Sequence, residues 1–189
     1  MTDNTTLRFE CWDNAVHSFG TGYIFEKKSF KVLIKMRILQ FFGIGVPLSL
    51  GGIVIALGGN FSFMNYLLIF VGVIATLQLL GTLWSLIAKW DDLYAYSIES
   101  KMNNYRLADK FSFLAKSPPE DINQFKIQYE ILKKDDEIRN NFDNKQNISE
   151  KEKRMGLRAA LRQYQRECIC CHKTPVSMRP SDCDVCGNF

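Results

Sequence analysis

The sequence predicts an all-α membrane protein, with a two-helix transmembrane hairpin, long cytosolic helices and a small cysteine-rich module at the C-terminus. Three observations predict this fold class. Residues 38–88 contain no Asp, Glu, Lys or Arg, although the chain has 24 basic and 20 acidic residues in total. The segments on either side carry apolar residues at steps of three or four, the spacing of a helix face. Residues 168–189 hold two CxxC pairs.

The uncharged stretch is long enough for two membrane spans. One spanning helix needs about 20 apolar residues, and an ionised side chain at the bilayer centre costs at least about 2.5 kcal/mol. Turn-forming Gly and Asn residues between Gly58 and Tyr66 divide the stretch, so we place the spans at about 38–57 and 67–88. The alternative is a buried hairpin of a soluble protein. Soluble helices of this length normally have a charged face, which argues against it.

The distribution of basic residues predicts the orientation of the hairpin. Lysines and arginines flank it on its two outer sides, and none lies in the connection between the spans. Because basic residues are retained on the cytoplasmic side, we expect both termini in the cytoplasm. The flanking residues are Lys27, Lys28, Lys31, Lys35 and Arg37 before the first span, and Lys89, Lys101 and Arg106 after the second.

The segments outside the hairpin are predicted to be helical. Residues 1–37 begin with a short amphipathic helix that Gly20-Thr21-Gly22 should break. This helix is expected to pack on the cytosolic body, with a position at the membrane interface as the alternative. The second span is expected to continue as one helix to near Ala115, where Ser117-Pro118-Pro119 ends it. The sequence thus predicts four regions: an N-terminal helical segment (1–37), the transmembrane hairpin (38–88), cytosolic helices (89–147), and a basic helix with the zinc-binding tail (148–189).

A final helix carries a row of arginines. Ser149 followed by Glu152 has the form of a capping box, which should start this helix. The arginines step by four residues and therefore share one side of the helix. Guanidinium groups match phosphate oxygens, so the row is a candidate binding site for an anionic ligand. An ordinary solvated face is the alternative. The row consists of Arg154, Arg158, Arg162 and Arg166.

The cysteine pattern predicts a structural zinc site. The pairs Cys168/Cys171 and Cys183/Cys186 are separated by eleven residues, and two such pairs supply the four thiolates that tetrahedral zinc prefers. Cys170 or His172 could replace a ligand, but we expect both to be non-ligands. A redox dithiol is the alternative chemistry. Zinc would chiefly fold this tail, which is too short to build an apolar core of its own.

One amide lies within the predicted spans. Gln78 should sit near the middle of the bilayer, where an amide must find a partner or water. Either it makes an interhelical hydrogen bond, or it lines a pore that two-span subunits build by oligomerising. The sequence contains no recognisable catalytic motif, and its two histidines lie in separate segments, so we predict that the protein is not an enzyme.

These features together resemble the SLATT family of bacterial membrane effectors. The uncharged hairpin with Pro47 in its first span and the long flanking helices carry the resemblance, and the CxxC-x11-CxxC tail is similar to a subclass found on mobile elements. The resemblance implies an oligomeric pore in the bacterial inner membrane that acts in antiphage defence. It also implies an associated nucleotidyltransferase that makes a nucleotide signal, as in the Hailong system, where a SLATT-type channel is paired with an enzyme that makes DNA oligomers.

The functional expectation is an ion channel gated from the cytosolic side by an anionic nucleotide or oligonucleotide. A homotetramer is a reasonable assembly for two spans per subunit. The alternative is a non-conducting membrane scaffold that recruits a soluble partner through its zinc tail.

Overall fold

A computed structural model describes residues 4–57 and 64–189, and the described residues form helices without a β-strand. The helices are α1 (Asn4–Leu57), α2 (Met64–Ile87), α3 (Trp90–Lys116), α4 (Ile122–Asp143) and α5 (Glu150–Gln163). Most of the predicted connection between the spans lies outside the described residues. The all-helical prediction is confirmed for the residues that the structure describes.

The chain divides into two compact units. The first comprises Met1–Lys28 and Tyr96–Phe189, and the second comprises Ser29–Ala95. Each of α1 and α3 contributes to both units, because the division falls inside these helices.

The core of the first unit is built by α1, α3 and α4. Its buried residues recur at helical spacing, which places them on the facing sides of the three helices. The expectation that the N-terminal helix packs on the helices that follow the hairpin is therefore confirmed. The core consists of Leu7, Cys11, Ala15, Leu107, Phe111, Leu114, Ala115, Phe125 and Tyr129.

The predicted break at Gly20-Thr21-Gly22 is wrong, because α1 is continuous there. Tertiary packing explains these glycines. A Cβ on Gly20 would lie 3.1 Å from the carbonyl oxygen of Gly156 in α5, and a Cβ on Gly22 would lie 2.8 Å from the ring of Tyr105 in α3. Glycine costs about 1 kcal/mol in a helix interior, and here it permits two close approaches in the first unit.

The predicted continuous helix after the second span is also corrected. A turn at Lys89 separates α2 from α3, and Lys89 has a left-handed φ of 49°. The helical pattern beyond it extends to Lys116, as the prolines at 118 and 119 predict.

The predicted capping box at the start of α5 is confirmed, and a side chain also caps α4. Asp121 caps α4, accepting a hydrogen bond from the Asn123 amide at 2.9 Å. Ser149 and Glu152 form the reciprocal capping box that begins α5.

The second unit contains two helices that are long and apolar enough to cross a membrane. Their most apolar windows are only 6% and 0% buried. The hydroxyls of Ser49, Thr76 and Thr82 donate to the carbonyl oxygens of Gly45, Gly72 and Gln78, each four residues earlier. These polar side chains are thus satisfied by their own helices.

Candidate metal centre

The four cysteines of the two CxxC pairs meet at one point. Their sulfur atoms all lie within 4.8 Å of one another. Cys168 Sγ is 3.9 Å from Cys183 Sγ, and Cys171 Sγ is 3.8 Å from Cys186 Sγ. Sulfurs held about 2.3 Å from a tetrahedral zinc ion would be about 3.8 Å apart. The group can therefore hold a metal ion of that type without a change of fold.

The backbone shapes both pairs into similar turns. The His172 amide donates to the Cys168 carbonyl at 2.9 Å, and the Gly187 amide donates to the Cys183 carbonyl at 2.8 Å. His172 adopts a left-handed φ of 51° to close the first turn. At the second turn only glycine fits, because a Cβ on Gly187 would lie 2.5 Å from the Ser181 carbonyl oxygen. Each turn directs two sulfurs to the same side.

The thiols of the four-cysteine group differ in pKa. Backbone amides of Cys186 and Val185 lower the pKa of Cys183 to about 6. Burial raises the pKa of the Cys186 thiol above its usual value. A metal ion is needed to hold all four sulfurs as thiolates, because four anions at this separation repel one another in its absence.

Cys170 and His172 lie outside the four-sulfur group. Both side chains are exposed. Their positions agree with the expectation that they are not ligands, and four cysteines leave no open coordination position for catalysis.

The four-cysteine geometry corresponds to a known family pattern. A family model described as "Mobilome CxxCx(11)CxxC protein" matches residues 8–189. The chain belongs to this family. No curated protein matches it, and no solved structure does. The family match covers the helices as well as the cysteine tail.

The tail packs on α5 through a small apolar cluster. Its buried members are Leu161 of α5 and the cysteines Cys168 and Cys186, and Leu157 and Val185 pack against them. The sulfurs are therefore shielded on the α5 side, where the cysteine tail packs against this helix.

Arg158 has a structural role that the sequence interpretation did not anticipate. It is only 9% exposed. Its guanidinium donates to the Ser177 carbonyl at 2.8 Å, to Ser181 Oγ at 3.1 Å and to the Cys186 carbonyl at 3.3 Å. Its Nη1 also lies 4.0 Å from Cys186 Sγ. Arg158 thus fastens the cysteine tail to α5 through its Nε and Nη1 atoms, so these donors are not free for a ligand.

Two further arginines of the predicted row have protein partners. Arg154 donates to the Asn188 carbonyl at 3.1 Å. Arg166 pairs with Asp13 of α1 at 2.6 Å and lies over the Phe9 ring. Both side chains link segments of the first unit.

Arg162 differs from the other three. It is exposed, and the part of the chain that the structure describes provides no hydrogen bond or ion pair to its guanidinium. It borders a groove of about 390 Å³. The groove is lined by Phe19, Tyr23, Ala159, Arg162, Gln163, Gln165 and Met178.

Gln78 makes the interhelical hydrogen bond that the sequence left as one of two alternatives. Its Nε2 donates to the Leu39 carbonyl of α1 at 3.1 Å. Gly43 provides the space, because its missing side chain would meet the Gln78 amide. Within a single chain, this amide therefore joins the two apolar helices of the second unit.

Sequence reasoning missed a buried polar cluster in the first unit. Asp143 is 1% exposed and accepts hydrogen bonds from Tyr96, Ser100, Asn104 and Arg139 at 2.6, 2.8, 2.7 and 2.9 Å. Burial alone would raise the pKa of Asp143, but these hydrogen bonds outweigh burial and hold the pKa below its usual value.

A sequence signal for this cluster exists. The buried face of α4 follows a regular four–three spacing through Phe125, Tyr129, Leu132, Asp136, Arg139 and Asp143. Apolar residues occupy its first half and charged residues its second half. Charged residues that continue an apolar stripe in register indicate a buried ion pair.

Proposed function

We propose that the protein is an integral membrane protein of the bacterial inner membrane, with both termini in the cytoplasm, that assembles into an oligomeric pore. The observation that carries this proposal is the exposure of the two apolar helices, whose most apolar windows are 6% and 0% buried. A core helix of a soluble protein would bury such a window. Hydrocarbon, or a neighbouring subunit in hydrocarbon, is the environment that suits this surface.

The proposal includes a zinc ion at the four cysteines. Tetrahedral tetrathiolate sites favour zinc or iron, and the closed ligand set suits a structural ion. Metal analysis of purified protein should give one zinc per chain. An iron-loaded protein, or one without metal that retains an ordered tail, would contradict this part of the proposal.

We further propose that the pore is an antiphage effector of the SLATT type, possessing no catalytic activity of its own and gated by an anionic nucleotide or oligonucleotide. The resemblance of the hairpin and tail to that family supports this role, and an associated nucleotidyltransferase would supply the signal, as in the Hailong arrangement. A tetramer remains our expected assembly. Binding gates the pore only if the ligand has different affinities for the closed and open states.

Of the arginine row, Arg162 is the best candidate contact for this signal. It keeps all its donors, and its groove adds the aromatic ring of Tyr23 and the amides of Gln163 and Gln165. An aromatic face stacks on bases, while guanidinium and amide groups bind phosphate and base edges. The other three arginines hold the fold of the first unit.

The experiment measures ion flux from liposomes that contain the purified protein, with and without single-stranded DNA oligonucleotides. We expect flux to change with oligonucleotide, and Arg162→Glu to weaken oligonucleotide binding by about tenfold or more. Arg179→Glu is the matched control, since Arg179 is an exposed arginine of the same unit. Equal losses in both variants would show non-specific charge attraction. Well-formed oligomers without flux under any condition would overturn the pore.

A non-conducting scaffold is the second candidate. Ile169 and Val176, both in the cysteine tail, are each 85% exposed, and exposed apolar side chains suit recruitment of a soluble partner. Under this alternative, Ile169→Ser with Val176→Ser would abolish recruitment while metal content stays unchanged, and the liposomes would show no flux.

A further inference from the structure

The two apolar helices of the second unit form a groove of about 510 Å³, and Trp90 of α3 also lines it. Among the described residues that line the groove, Lys35 is the charged one and Gln78 the amide. The Gln78 Nε2 donates to the carbonyl of Leu39 in the wall of the groove. The rest of the described lining is apolar. The groove is therefore an apolar channel that carries one cation.

The length of the groove matches one leaflet of a bilayer. Ile74 and Trp84 are its outermost lining residues on α2, and they lie ten residues, or about 15 Å, apart along the helix axis. The hydrocarbon core of a bilayer is about 30 Å thick, so one leaflet accounts for about 15 Å. Trp84 in the last turn of α2 and Trp90 just beyond that helix mark the end that carries Lys35. Because tryptophan favours the headgroup region, this end belongs at the membrane surface.

The cation at this end is available to a ligand. Lys35 is exposed, and the described residues provide it with no carboxylate partner. Its ammonium lies 5.6 Å from the centroid of the Trp90 ring, a contact that positions the charge and leaves its N–H donors available. Asp91 and Asp92 do not line the groove. At about 100° per residue they lie about 100° and 160° away from Trp90 around α3. The mouth of the groove is therefore positive and suits a phosphate.

A second groove in the same unit shows what distinguishes the first. It has a volume of about 310 Å³, and its described lining, between Phe41 and Ile53 on α1 and between Leu67 and Ile74 on α2, contains no charged residue and no tryptophan. Both grooves suit hydrocarbon, but of these two only the first has an ion partner for a headgroup. Residues 38–88 of a second copy, the other candidate to cover the groove, contain no Asp or Glu to pair with Lys35. Charge complementarity therefore favours a lipid with an anionic headgroup.

We propose that this groove binds one anionic phospholipid of the bilayer, with an acyl chain along the apolar channel and the phosphate on Lys35. Basic pockets between membrane helices bind anionic headgroups in this way. The inference rests on the proposed function in one respect, because it requires the hairpin to lie in a bilayer. It does not require a pore.

Tryptophan fluorescence tests the site in the full-length protein, because two of the three tryptophans line the groove. In a Trp12→Phe background the emission comes from Trp84 and Trp90 alone. The protein is reconstituted into phosphatidylcholine vesicles that contain increasing fractions of phosphatidylglycerol with brominated acyl chains, or of phosphatidylcholine brominated in the same way. Bromine quenches nearby tryptophans. We expect half-maximal quenching at an about fivefold lower fraction of the brominated phosphatidylglycerol, since one lysine near a membrane surface contributes about that factor.

A pair of charge variants tests the role of Lys35. Lys35→Gln should remove the preference for phosphatidylglycerol. Arg37→Gln is the matched control, because Arg37 is an exposed cation two residues away on the same helix that does not line the groove, and it should keep the preference. Equal losses in the two variants would show non-specific attraction to an anionic surface and would overturn the site.

A pair of variants in α2 tests the apolar channel without a change of charge. Leu77 lines the groove and is 63% exposed, whereas Leu80 is 57% exposed and does not line it. Leu77→Phe narrows the groove and should weaken the preference for phosphatidylglycerol. Leu80→Phe should leave the preference unchanged. An unchanged preference in both variants would contradict an acyl chain in this groove.

The outcomes separate this site from the pore. Equal quenching by the two brominated lipids would overturn the site and leave the pore intact. Selective quenching without ion flux would support the site and remove the pore. Quenching by neither lipid would overturn the site, and flotation of the protein with the vesicles would then distinguish a groove covered by a second copy from a hairpin that lies outside the bilayer.

Discussion

The cysteine tail and the helical core of the first unit bury charged groups in opposite ways. In the tail, the cation Arg158 is satisfied mainly by backbone carbonyls, beside four cysteines that could hold a metal ion. In the helical core, the buried anion Asp143 is satisfied by donors from α3 and α4. The comparison teaches that the cysteine tail is too short to build an apolar core of its own, whereas the helical core supplies its own partners. Changes in the tail and in the core should therefore have separate effects.

The largest effect is expected from loss of a metal ligand. Cys168→Ser should abolish stoichiometric metal binding and make the tail sensitive to protease, because these residues have too little apolar surface to fold alone. The helical signal in circular dichroism should remain. Cys170→Ser is the matched control, two positions away, and should keep full metal content. A Cys168→Ser protein with unchanged metal content would refute the ligand assignment.

The next effect concerns the buried anion of the core. Asp143→Ala leaves the Arg139 guanidinium buried without its main partner, which typically costs about 3–5 kcal/mol. Denaturant unfolding in detergent should show the loss. The metal content should not change, because the tail is held separately. A variant that unfolds at the same denaturant concentration as the wild type would show that the cluster is dispensable.

A smaller effect is expected from the clamp between tail and α5. Arg158→Lys keeps the charge but loses the planar fork that reaches Ser177, Ser181 and Cys186. We expect a loss of about 1.5–3 kcal/mol in docking of the tail, seen as faster protease cleavage of the tail with metal still bound. Arg162→Lys should leave cleavage unchanged. Equal cleavage rates for both variants would argue against the clamp.

The smallest effect concerns how two carboxylates of α4 change the free energy of unfolding as the pH varies. The pKa of Asp143 is lowered, so its stabilising contribution is present above its unfolded value of about 3.9 and is lost as pH falls through the folded pKa. Burial raises the pKa of Asp136 more than its hydrogen bonds from Ser18 and Asn140 and the charge of His17 lower it. The stabilising contribution of Asp136 is therefore present below its unfolded pKa of about 3.9, and it is lost as the pH rises through the folded pKa.

Free energies of unfolding measured from about pH 3 to pH 7 should separate the contributions of the two carboxylates to stability. Asp143→Asn should flatten the acid limb of the profile. Asp136→Asn should remove the decline in the free energy of unfolding at higher pH. Its overall effect on stability should be nearly zero. Identical profiles for the two variants would contradict the opposite pKa directions.

The features that were predicted correctly depend on residues close together in sequence. The capping box of α5 joins Ser149 to Glu152 within one turn, and each CxxC pair closes its own backbone turn. Local geometry follows from such spacing. The helical character of residues 38–57 and 64–87 follows in the same way from their composition.

The features that were missed or mistaken depend on distant segments. Gly20 resembles a helix breaker until Gly156 of α5 is seen against it. The four arginines look equivalent on a helical projection. The tail and α1 nevertheless accept hydrogen bonds from three of them, and among the described residues Arg162 has no such partner. The periodicity of a helix does not indicate which distant segment of the chain will pack on a given face of that helix.

By itself, the sequence determined the helices, the four-sulfur ligand set and the apolar character of the hairpin, because propensity, thiolate chemistry and hydropathy belong to residues and short spacings. Only the tertiary structure decided that Arg158 is a clamp, that Asp143 lies at the centre of a buried network and that Gln78 bonds to Leu39. These roles arise from which donors and acceptors meet in space. A buried polar group must find its partner wherever the fold brings one.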